Sequence, residues 1–517
     1  MIRHGKFRVL FVSDSLGTPI HPRGIFNYSV SLIEILKRVG AEVVLVVEKA
    51  PDYGVDEKLW GRSNREWSAA VNSSQLAEIY RYFTESRFSF NWRYQTRHFR
   101  FLAENLPTIA RLLQWLKEKT GGNRGALVEN RGGAVDFIPE RGEHLAMMDG
   151  FLLKRRIYSS SMSRAVNNMD PVDLDASGYD LVVVDTPHFV NIAGIDPSRI
   201  FSVIHDLIPL RDPTMSANWR YLFFKKMKAT LALDGNLIFV SNYTRDVFHL
   251  NFPECKARRE IVLYPTIRSS LMQAARQAKS PERSNYVPKM PVASAEKLLR
   301  NGAERGSARK SKRERRHSVS LSYKKEGWDP ALPYFASAVS DEPRKNIGTL
   351  VQAFKRLLGR ANIVIVGEVD AARHLAADGG EIPNIHFAGY VQESEKIEIL
   401  RGASGVIVPS FAEGFGIPLV EGAMLGTPIV CSDIAVFREV VGDLASYFDP
   451  YAAQSLSAAI ETVLSDPGAC AEKAAQLRQA VIARFSQQAM ERRLTDELAA
   501  VGLPIRPAAG FLFELGE

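Results

Sequence analysis

A strand, a glycine-rich turn, a helix and a second strand follow one another directly within residues 405–439. Val406 to Val408 form a short apolar run, and a helical pattern extends from Ile417 to Leu425. Gly426-Thr427-Pro428 breaks that helix before a second apolar run, Ile429 to Cys431. This order predicts a βαβ unit, in which the start of the helix directs backbone N–H groups at whatever lies above the sheet.

Two carboxylates bracket the start of the predicted helix. Glu413 lies in the turn and Glu421 lies in the helix, with seven residues between them. Backbone N–H groups at a helix start bind phosphates, and carboxylates accept hydrogen bonds from hydroxyl groups. The segment therefore suits a phosphate-bearing ligand with hydroxyl-rich ends.

The length and composition indicate a soluble protein with two domains. A chain of 517 residues exceeds what one hydrophobic core usually supports. Its share of hydrophobic residues, 46%, is ordinary, and no apolar run is long enough to span a membrane. The N-terminus does not read as a signal peptide, and the three cysteines are widely spaced, which fits a reducing compartment. We therefore expect a cytoplasmic protein.

Two α/β series are visible along the chain. The first opens with a strand at Phe7 to Val12, a helix at Asn27 to Val39 and a strand at Val43 to Val47. It continues with strands at Leu181 to Val184, Ile200 to Ile204, Leu237 to Val240 and Ile261 to Leu263. The second series starts near Pro333, with strands at Phe335 to Val339, Ile363 to Val366, Ile385 to Phe387, Val406 to Val408 and Ile429 to Cys431. Alternation of this kind predicts parallel sheets covered by helices.

Two stretches do not follow the alternation. The interval 60–178 is predicted to be an insertion, in which residues 80–102 are rich in aromatic and basic side chains. These either pack inserted helices together or line a groove for an acceptor. Residues 297–325 contain eleven Lys/Arg and two Asp/Glu. They form either a solvated insertion or an electrostatic tether to anionic lipids. Nucleic-acid binding is disfavoured because only Tyr323 could stack there.

The segment around Glu413 and Glu421 closely resembles a signature of the family 4 retaining glycosyltransferases. The two glutamates lie within Pro-Ser-x-x-Glu-Gly-Phe-Gly-x-Pro-x-x-Glu-x-x-x-x-Gly-x-Pro-x-x-x-Ser, which is far more specific than the pair alone. The alternative is a nucleotide-binding or structural βαβ unit with solvated glutamates. The resemblance covers residues 332–465 well, 180–265 moderately and 7–48 weakly. It implies the α/β GT-B fold, with two Rossmann-like doubly wound domains facing across a cleft.

The resemblance also implies a division of the chain. Residues 1–265 correspond to an N-terminal acceptor domain, interrupted by the insertion at 60–178. Residues 266–331 form a basic connection, and residues 332–485 form the donor-binding domain. In the family the last helix crosses back to the first domain, and residues 486–517 are expected to supply that helix and a tail.

A second motif, Asp341-Glu342-Pro343-Arg344-Lys345-Asn346, directly follows the strand that opens the second series. It resembles the Glu-Pro-Arg-Lys-Asn motif of many family 4 enzymes, in which lysine and arginine hold the pyrophosphate of a sugar nucleotide. Many relatives carry Gly-Arg shortly before the lysine, where this chain has Val339 and Ser340. The resemblance implies that Glu413 and Lys345 act in catalysis. It assigns donor binding to Arg344, Lys345, Asn346, Gly414, Phe415, Gly416, Ile417 and Glu421.

The first series contributes three weaker candidates. His205-Asp206 ends a strand and resembles the His-Asp segment at the active-site edge in these enzymes, which makes His205 a candidate catalytic residue. His188, Asp206 and Gly24 are candidates for contacts with an acceptor or a phosphate. Gly24 is predicted to lie in the first strand–helix loop, which keeps only part of the family's glycine pattern. Ser241 is either a ligand contact or a helix N-cap.

These inferences add up to a retaining hexosyltransferase that uses a sugar nucleotide and a glycan or lipid-linked acceptor in surface polysaccharide synthesis. Mannose or a related deoxyhexose from a GDP-sugar is favoured as the donor, and a UDP-sugar is the alternative. A non-catalytic sugar-nucleotide-binding protein is the remaining alternative. No catalytic metal is expected, because Asp173-Leu174-Asp175 is predicted to lie in a solvated loop. No cofactor and no nucleic-acid partner are expected either. We expect a cytoplasmic protein that binds peripherally to the inner face of the membrane.

Overall fold

A computed structural model describes residues 7–49 except 15 and 17–22, residues 70–71, 126–130, 145–266 except 146 and 156, residue 271, and 329–505 except 330 and 377–381. The aromatic stretch 80–102 and the basic stretch 297–325 lie outside the described residues. The chain divides into two compact units. Unit 1 comprises Met1–Pro265 and Met490–Glu517, and unit 2 comprises Thr266–Ala489.

Unit 1 is built on a mostly parallel sheet. Its strands are β1 Phe7–Val12, β2 Ala41–Lys49, β3 Ala70–Val71, β4 Ala126–Asn130, β5 Gly150–Arg155, β7 Leu181–Val184, β9 Ile200–Ile204, β10 Asn236–Phe239 and β11 Glu260–Val262. They lie in the order β11-β10-β9-β7-β1-β2-β5-β4-β3. Within this sheet β4 runs antiparallel to β5, whereas β1 pairs in parallel with both β2 and β7. The order reverses between β1 and β7.

Helices and a small second sheet complete unit 1. The helices are α1 Arg23–Arg38, α2 Ile157–Val166, α3 Ile208–Arg211, α4 Ala217–Ala232 and α5 Asn242–Asn251, and the small sheet pairs β6 Val172–Asp175 with β8 Val190–Ala193. The C-terminal segment adds α13 Gln487–Ala500, in which Glu497 pairs with Arg259 at 2.7 Å. This pair links residues that are 238 positions apart in sequence.

The predicted insertion at 60–178 is only partly separate from the main sheet. Gly150–Arg155 extends the sheet by pairing with β2, and α2 packs against β2 as well. The interval therefore contains one regular strand–helix unit that the sequence analysis assigned to the insertion. The strand β5 was not predicted, because Gly150 and Lys154 lie on either side of its short apolar run, Phe151 to Leu153.

Unit 2 is a doubly wound domain with a fully parallel six-stranded sheet. Its strands are β12 Tyr334–Ala338, β13 Asn362–Val366, β14 Ile385–Gly389, β15 Gly405–Val408, β16 Ile429–Ser432 and β17 Ser446–Phe448, in the order β14-β13-β12-β15-β16-β17. The helices are α6 Ile347–Arg356, α7 Ala371–Leu375, α8 Glu393–Gly402, α9 Ile417–Met424, α10 Ala435–Val441, α11 Ala453–Ser465 and α12 Pro467–Phe485. The order reverses between β12 and β15. In such sheets ligands bind outside the carboxyl ends of the strands at this reversal.

The core of unit 2 explains why these strands form. Every residue of β13, β15 and β16 is buried, as expected for strands covered by helices on both faces. Gly422 allows α9 to pack closely on the sheet, because a Cβ atom there would lie 2.8 Å from Ile429 Cδ1 and 3.0 Å from Val406 Cβ. Over the residues described, no helix combines the length and apolar character that crossing a bilayer requires.

Candidate functional site

Glu413 lies between two basic side chains at the reversal point of the unit 2 sheet. Lys345 Nζ lies 2.6 Å from Glu413 Oε1, and Arg344 Nη1 lies 3.0 Å from Glu413 Oε2. Ser410 Oγ also donates to Glu413 Oε1, at 2.8 Å. The basic residues follow β12 and the acidic one follows β15, so the strand order alone brings them together.

This cluster is nearly closed to solvent. The exposed fractions of the side chains are 10% for Glu413, 14% for Lys345 and 20% for Arg344. Burial acts to raise the pKa of Glu413, but Lys345 and Arg344 outweigh it and the pKa lies below its usual value. The carboxylate is therefore ionised at neutral pH. The charges of Lys345, Arg344 and Glu413 sum to +1, and Glu342, which is 52% exposed and lies 2.8 Å from Arg344 Nε, brings the sum of the four to zero.

Asn346 braces the two loops that carry the cluster. It adopts a left-handed conformation, with φ 56°, between the short 3₁₀ turn Pro343–Lys345 and α6. Its side-chain amide donates to Pro409 O at 3.0 Å and to Pro450 O at 2.8 Å. These bonds hold together the loops that carry Lys345 and Ser410, and the predicted contact of Asn346 with a sugar nucleotide stays a prediction.

The glycine-rich turn after Glu413 leads directly into α9. Gly416 is the N-cap of this helix and has φ 102°, a conformation that side chains rarely adopt. Among the described residues, no side chain caps this helix start. Pro418 in the first turn has no N–H, and the Leu419 N–H donates to Gly416 O at 3.0 Å. Phe415 is only 4% exposed and packs edge-on against Phe485, with ring centroids 5.1 Å apart. A contact of Phe415 with the sugar nucleotide would therefore involve the backbone.

Glu421 lies in the second turn of α9 and is part of a buried ion pair. Lys396 Nζ on α8 lies 2.7 Å from Glu421 Oε1, with side-chain exposures of 6% and 9%. Glu393, one turn earlier on α8, lies 3.4 Å from the same ammonium group. Glu421 was predicted from the sequence to bind the sugar nucleotide, whereas Lys396 was not among the predicted site residues.

Unit 1 holds a second polar cluster at its own reversal point, centred on Asp185. This residue follows β7 and is fully buried. Its Oδ2 accepts hydrogen bonds from Ser13 Oγ, directly after β1, and from Ser29 Oγ on α1 at 2.9 Å. Burial acts to raise the pKa of Asp185, but His188 and Ser13 outweigh it, and the pKa lies below its usual value. Sequence reasoning did not single out Asp185, although it follows a predicted strand in the quoted Asp-Thr-Pro-His segment.

His205 lies beside Asp185 and is held in a defined orientation. Its Nε2 donates to the Asp185 carbonyl at 2.8 Å, and its ring lies edge-on to Tyr28, with centroids 5.1 Å apart. Burial lowers the pKa of His205, so the ring is neutral at pH 7. Asp206 uses Oδ1 to accept the Ile208 N–H at 3.0 Å, which supports the start of α3.

His188 also approaches Asp185. It is 2% exposed, and its Nε2 lies 3.8 Å from Asp185 Oδ1, 4.0 Å from Asp14 Oδ1 and 3.2 Å from Thr186 Oγ1. The structure thus gathers both histidines around Asp185, with His188 near its carboxylate and His205 on its backbone carbonyl. Gly24 differs from its prediction, because it lies in the first turn of α1, where it is exposed, and not in the preceding loop. Its N–H is still one of those that a helix leaves without an intrahelical acceptor.

Two further assignments from the sequence concern polar residues away from these clusters. Ser241 caps α5, since its Oγ accepts the Thr244 N–H at 3.0 Å. Asp173 and Asp175 lie on β6, not in a loop as predicted, and both are exposed. The alternation of buried and exposed residues in Val172–Asp175 is the strand signal that was missed. Among the described residues, no group of three or more His, Cys, Asp or Glu is placed to hold a metal ion.

Comparison with known proteins identifies a family match and several curated relatives. Residues 321–484 match the family described as Glycosyl transferases group 1. Over 133 residues the chain is 35% identical to O-antigen chain mannosyltransferase B of Escherichia coli, covering 24% of this chain and 35% of that protein. Over 154 residues it is 32% identical to phosphatidyl-myo-inositol mannosyltransferase of Mycolicibacterium smegmatis, covering 29% and 38%. The matches thus span little more than a third of each relative.

Similarity to solved structures extends over both units. Sucrose-phosphate synthase from Thermosynechococcus elongatus has a TM-score of 0.52, with 14% identity over 96% of this chain and 99% of that one. A trehalose-6-phosphate structure from E. coli, bound with UDP-2-fluoro glucose, has a TM-score of 0.50, with 11% identity over 96% and 100%. At these identities the likeness concerns the fold alone. It confirms the two-domain α/β GT-B fold.

Proposed function

We propose that this chain is a glycosyltransferase of the family 4 type that transfers a hexose from a sugar nucleotide with retention of anomeric configuration. The match of residues 321–484 to Glycosyl transferases group 1 supports this proposal. The observation that carries the proposal is the placement of Lys345, Arg344 and Glu413 at the reversal point of the unit 2 sheet. A diphosphate and a sugar ring need opposite charges close together, and this cluster supplies both. A non-catalytic binding protein would not need an ionised carboxylate held so closely beside the phosphate-binding cations.

The chemistry follows from how charge develops during transfer. When the bond between the sugar and the nucleoside diphosphate breaks, negative charge grows on the phosphate and positive charge grows on the sugar ring. Lys345, Arg344 and the N–H groups at the start of α9 stabilise the phosphate. Glu413 stabilises the ring and binds its hydroxyls. Since the bound diphosphate itself supplies an oxygen that can take the acceptor proton, no second carboxylate is required in unit 2.

Unit 1 contributes a neutral histidine to this proposal. Because His205 donates from Nε2 to a backbone carbonyl, its Nδ1 carries a lone pair and acts as an acceptor. A hydroxyl of the acceptor is a suitable donor to that nitrogen. Asp185 fixes the loops around both His205 and His188, which makes it a positioning residue for the acceptor side.

Mannose or a related deoxyhexose from a GDP-sugar is the donor we favour. Support comes from the relatives, since those of E. coli and M. smegmatis are both named mannosyltransferases. The first is named for O-antigen chains and the second for a phosphatidyl-myo-inositol acceptor. We propose a glycan or lipid-linked acceptor of the same general kind, reached from the cytoplasmic face of the membrane. A UDP-sugar is the alternative donor.

The test is the release of nucleoside diphosphate from a panel of purified GDP- and UDP-sugars. We expect turnover with GDP-mannose or a related GDP-deoxyhexose, and loss of turnover by at least about 100-fold in Lys345→Met, since one positioned electrostatic donor supplies roughly that factor. The anomeric configuration of the product, read by NMR, tests retention. Binding of a sugar nucleotide without release under any acceptor condition would contradict the catalytic proposal.

The basic stretch 297–325 is proposed to attach the protein to anionic lipids. Each lysine or arginine near such a surface contributes about 1 kcal/mol, so eleven of them exceed what stable attachment needs. Deleting residues 297–325 is expected to abolish activity in cells while leaving turnover of a soluble acceptor intact. Equal loss in the two assays would contradict the tether.

A further inference from the structure

The ion pair of Lys396 and Glu421 is unusual because both charged groups are almost fully buried. Their exposed fractions are 6% and 9%, and the ammonium nitrogen lies 2.7 Å from Glu421 Oε1. The two residues lie on different helices, α8 and α9, and are 25 positions apart in sequence. A buried pair of this kind seldom adds stability over an apolar pair of the same volume. Its presence therefore calls for a reason other than stability.

The position of the Lys396–Glu421 pair suggests a role in ligand binding. Glu421 lies on the helix whose start borders Glu413, and Lys396 lies on the helix that follows β14. Both elements belong to the carboxyl side of the unit 2 sheet, where ligands of doubly wound folds bind. The ammonium group also lies 3.4 Å from Glu393, whose side chain is 33% exposed. Lys396 thus joins a buried carboxylate to one that reaches solvent, and the three charges sum to −1.

We propose that Lys396 is a positioning residue that holds the Glu421 carboxylate in the orientation needed to accept the ribose hydroxyls of the sugar nucleotide. This inference rests on the proposed function, because it concerns how the ribose of the proposed sugar nucleotide is bound. The ammonium group of Lys396 compensates the negative charge of Glu421 at Oε1. It also fixes the rotamer of the Glu421 side chain, which would otherwise avoid a buried position. The carboxylate then discriminates a ribonucleotide from a deoxyribonucleotide.

A charged pair at this position suits a ligand that presents ribose hydroxyls. A ribose presents two hydroxyl donors, and an ionised carboxylate accepts both, whereas a neutral amide offers one oxygen only. Without a counter-ion, burial would disfavour the ionised form of such a carboxylate. Lys396, on the neighbouring helix α8, supplies this counter-ion and so keeps the carboxylate of Glu421 ionised.

Binding of GDP compared with 2′-deoxy-GDP and 3′-deoxy-GDP, measured by titration calorimetry, tests this role. In the wild-type chain we expect each deoxy analogue to bind about tenfold more weakly than GDP, the factor that corresponds to about 1.4 kcal/mol. Glu421→Gln and Lys396→Met should both reduce that ratio to less than about twofold. Affinity for 2′,3′-dideoxy-GDP should change by less than about threefold in both variants, because this analogue lacks both hydroxyl contacts. UDP with its deoxy analogues is used if the chain prefers uridine.

Glu398→Gln is the matched control, since Glu398 lies on the same helix in an exposed ion pair with Arg401. It should leave the ratio and both affinities unchanged. If Lys396→Met fails to fold, Lys396→Arg and Lys396→Gln decide: the charge-retaining arginine should keep most of the ratio and the neutral glutamine should lose it. Thermal unfolding of each variant without ligand separates damage to the fold from loss of discrimination.

The outcomes distinguish the inference from the proposed function. An unchanged ratio in Lys396→Met, or an equal loss for GDP and its deoxy analogues, refutes the positioning role while leaving nucleotide binding intact. Equal ratios in the arginine and glutamine variants refute it as well. If the wild-type chain binds no nucleoside diphosphate, the proposed function itself fails, and the assignment of Lys396 fails with it.

Discussion

Replacing Glu413 by glutamine should tighten the binding of a nucleoside diphosphate while abolishing transfer. In the ligand-free structure Glu413 holds both Lys345 and Arg344, at 2.6 and 3.0 Å. A diphosphate entering the site must compete with this carboxylate for the same cations. Glutamine keeps the shape and one hydrogen-bond acceptor but removes the negative charge. The two cations then become available, and the repulsion between Glu413 and the phosphate disappears.

The size of the effect follows from Coulomb attraction and its screening. Unit charges 4 Å apart interact by about 4 kcal/mol at an effective dielectric constant near 20. Most of this energy is offset by desolvation, and hydrogen bonds to charged groups retain a net of about 1.5–3 kcal/mol. Because the glutamine still accepts one hydrogen bond, we expect a gain of about 1–2 kcal/mol for the ligand, which is roughly 5- to 30-fold in Kd.

The assay is calorimetric titration of GDP or UDP at pH 7.5 and low salt, together with release of nucleoside diphosphate from the preferred donor. Glu413→Gln should bind more tightly and turn over at least about 100-fold more slowly. Glu342→Gln is the control, because Glu342 also contacts Arg344, at 2.8 Å, but is 52% exposed. Its affinity should change less than about threefold, as expected for an exposed pair. Weaker binding by Glu413→Gln would refute the reasoning, since it would mean that Glu413 organises the cations for phosphate.

Three shorter predictions concern the same loops and the histidine. Lys345→Met should weaken binding of inorganic pyrophosphate by at least about tenfold in a competition assay, whereas Lys355→Met on the outer face of α6 should not. Gly416→Ala should lower the Tm by several degrees, because its φ is 102° and the new methyl group would lie 2.8 Å from Phe437 Cε1. Burial lowers the pKa of His205 from its ordinary 6.5, so the neutral ring contributes stability above pH 6.5 that is lost as the pH falls through the folded pKa. Thermal unfolding between pH 5 and 7.5 should therefore show a smaller loss of Tm on acidification in His205→Gln than in the wild-type chain.

The sheets could be predicted from the sequence because their strands are buried on both faces. Leu181–Val184 and Ile200–Ile204 were predicted with the bounds that the structure has, and every residue in them is buried. Leu181–Val184 is an uninterrupted apolar run, and only the small Ser202 interrupts Ile200–Ile204, so little choice of boundary remains. Val172–Asp175 was missed because only alternate residues are buried and both exposed ones are aspartates, which usually indicate a turn.

The helix Pro467–Phe485 shows a signal that the sequence analysis did not use. Asp466 caps it by accepting the Ala469 N–H at 3.0 Å, and Pro467 occupies the first helical position. Its buried residues, Ala474, Leu477, Val481 and Phe485, are three or four positions apart. An Asp-Pro start followed by this spacing predicts a helix, even though alanine supplies much of the sequence and the apolar face is narrow.

In the candidate site, local motifs identified residue types and only the fold identified their partners. Glu413, Lys345 and Arg344 were predicted to share a site, and the strand order brings them within 3.0 Å. That Glu413 holds both cations in the absence of ligand could not be predicted, because the contact joins segments that are 68 and 69 positions apart. The same limit applies to Asp185, whose partner Ser13 lies 172 positions away.

The need of Lys396 for a buried carboxylate partner could have been predicted from the sequence. Within Glu393–Gly402 the residues Ile399 and Leu400 are buried, and position 396 lies three and four residues before them on the same helical face. A lysine at that position either leaves the apolar face or is buried with a carboxylate, because an isolated buried ammonium group costs several kcal/mol. The helix itself offers Glu393, but that carboxylate is partly exposed and cannot compensate a buried charge fully. Once the lysine is buried, a second carboxylate from elsewhere in the chain is therefore required. Glu421, on an apolar helix near a predicted ligand site, is the residue with the complementary need for a buried cation.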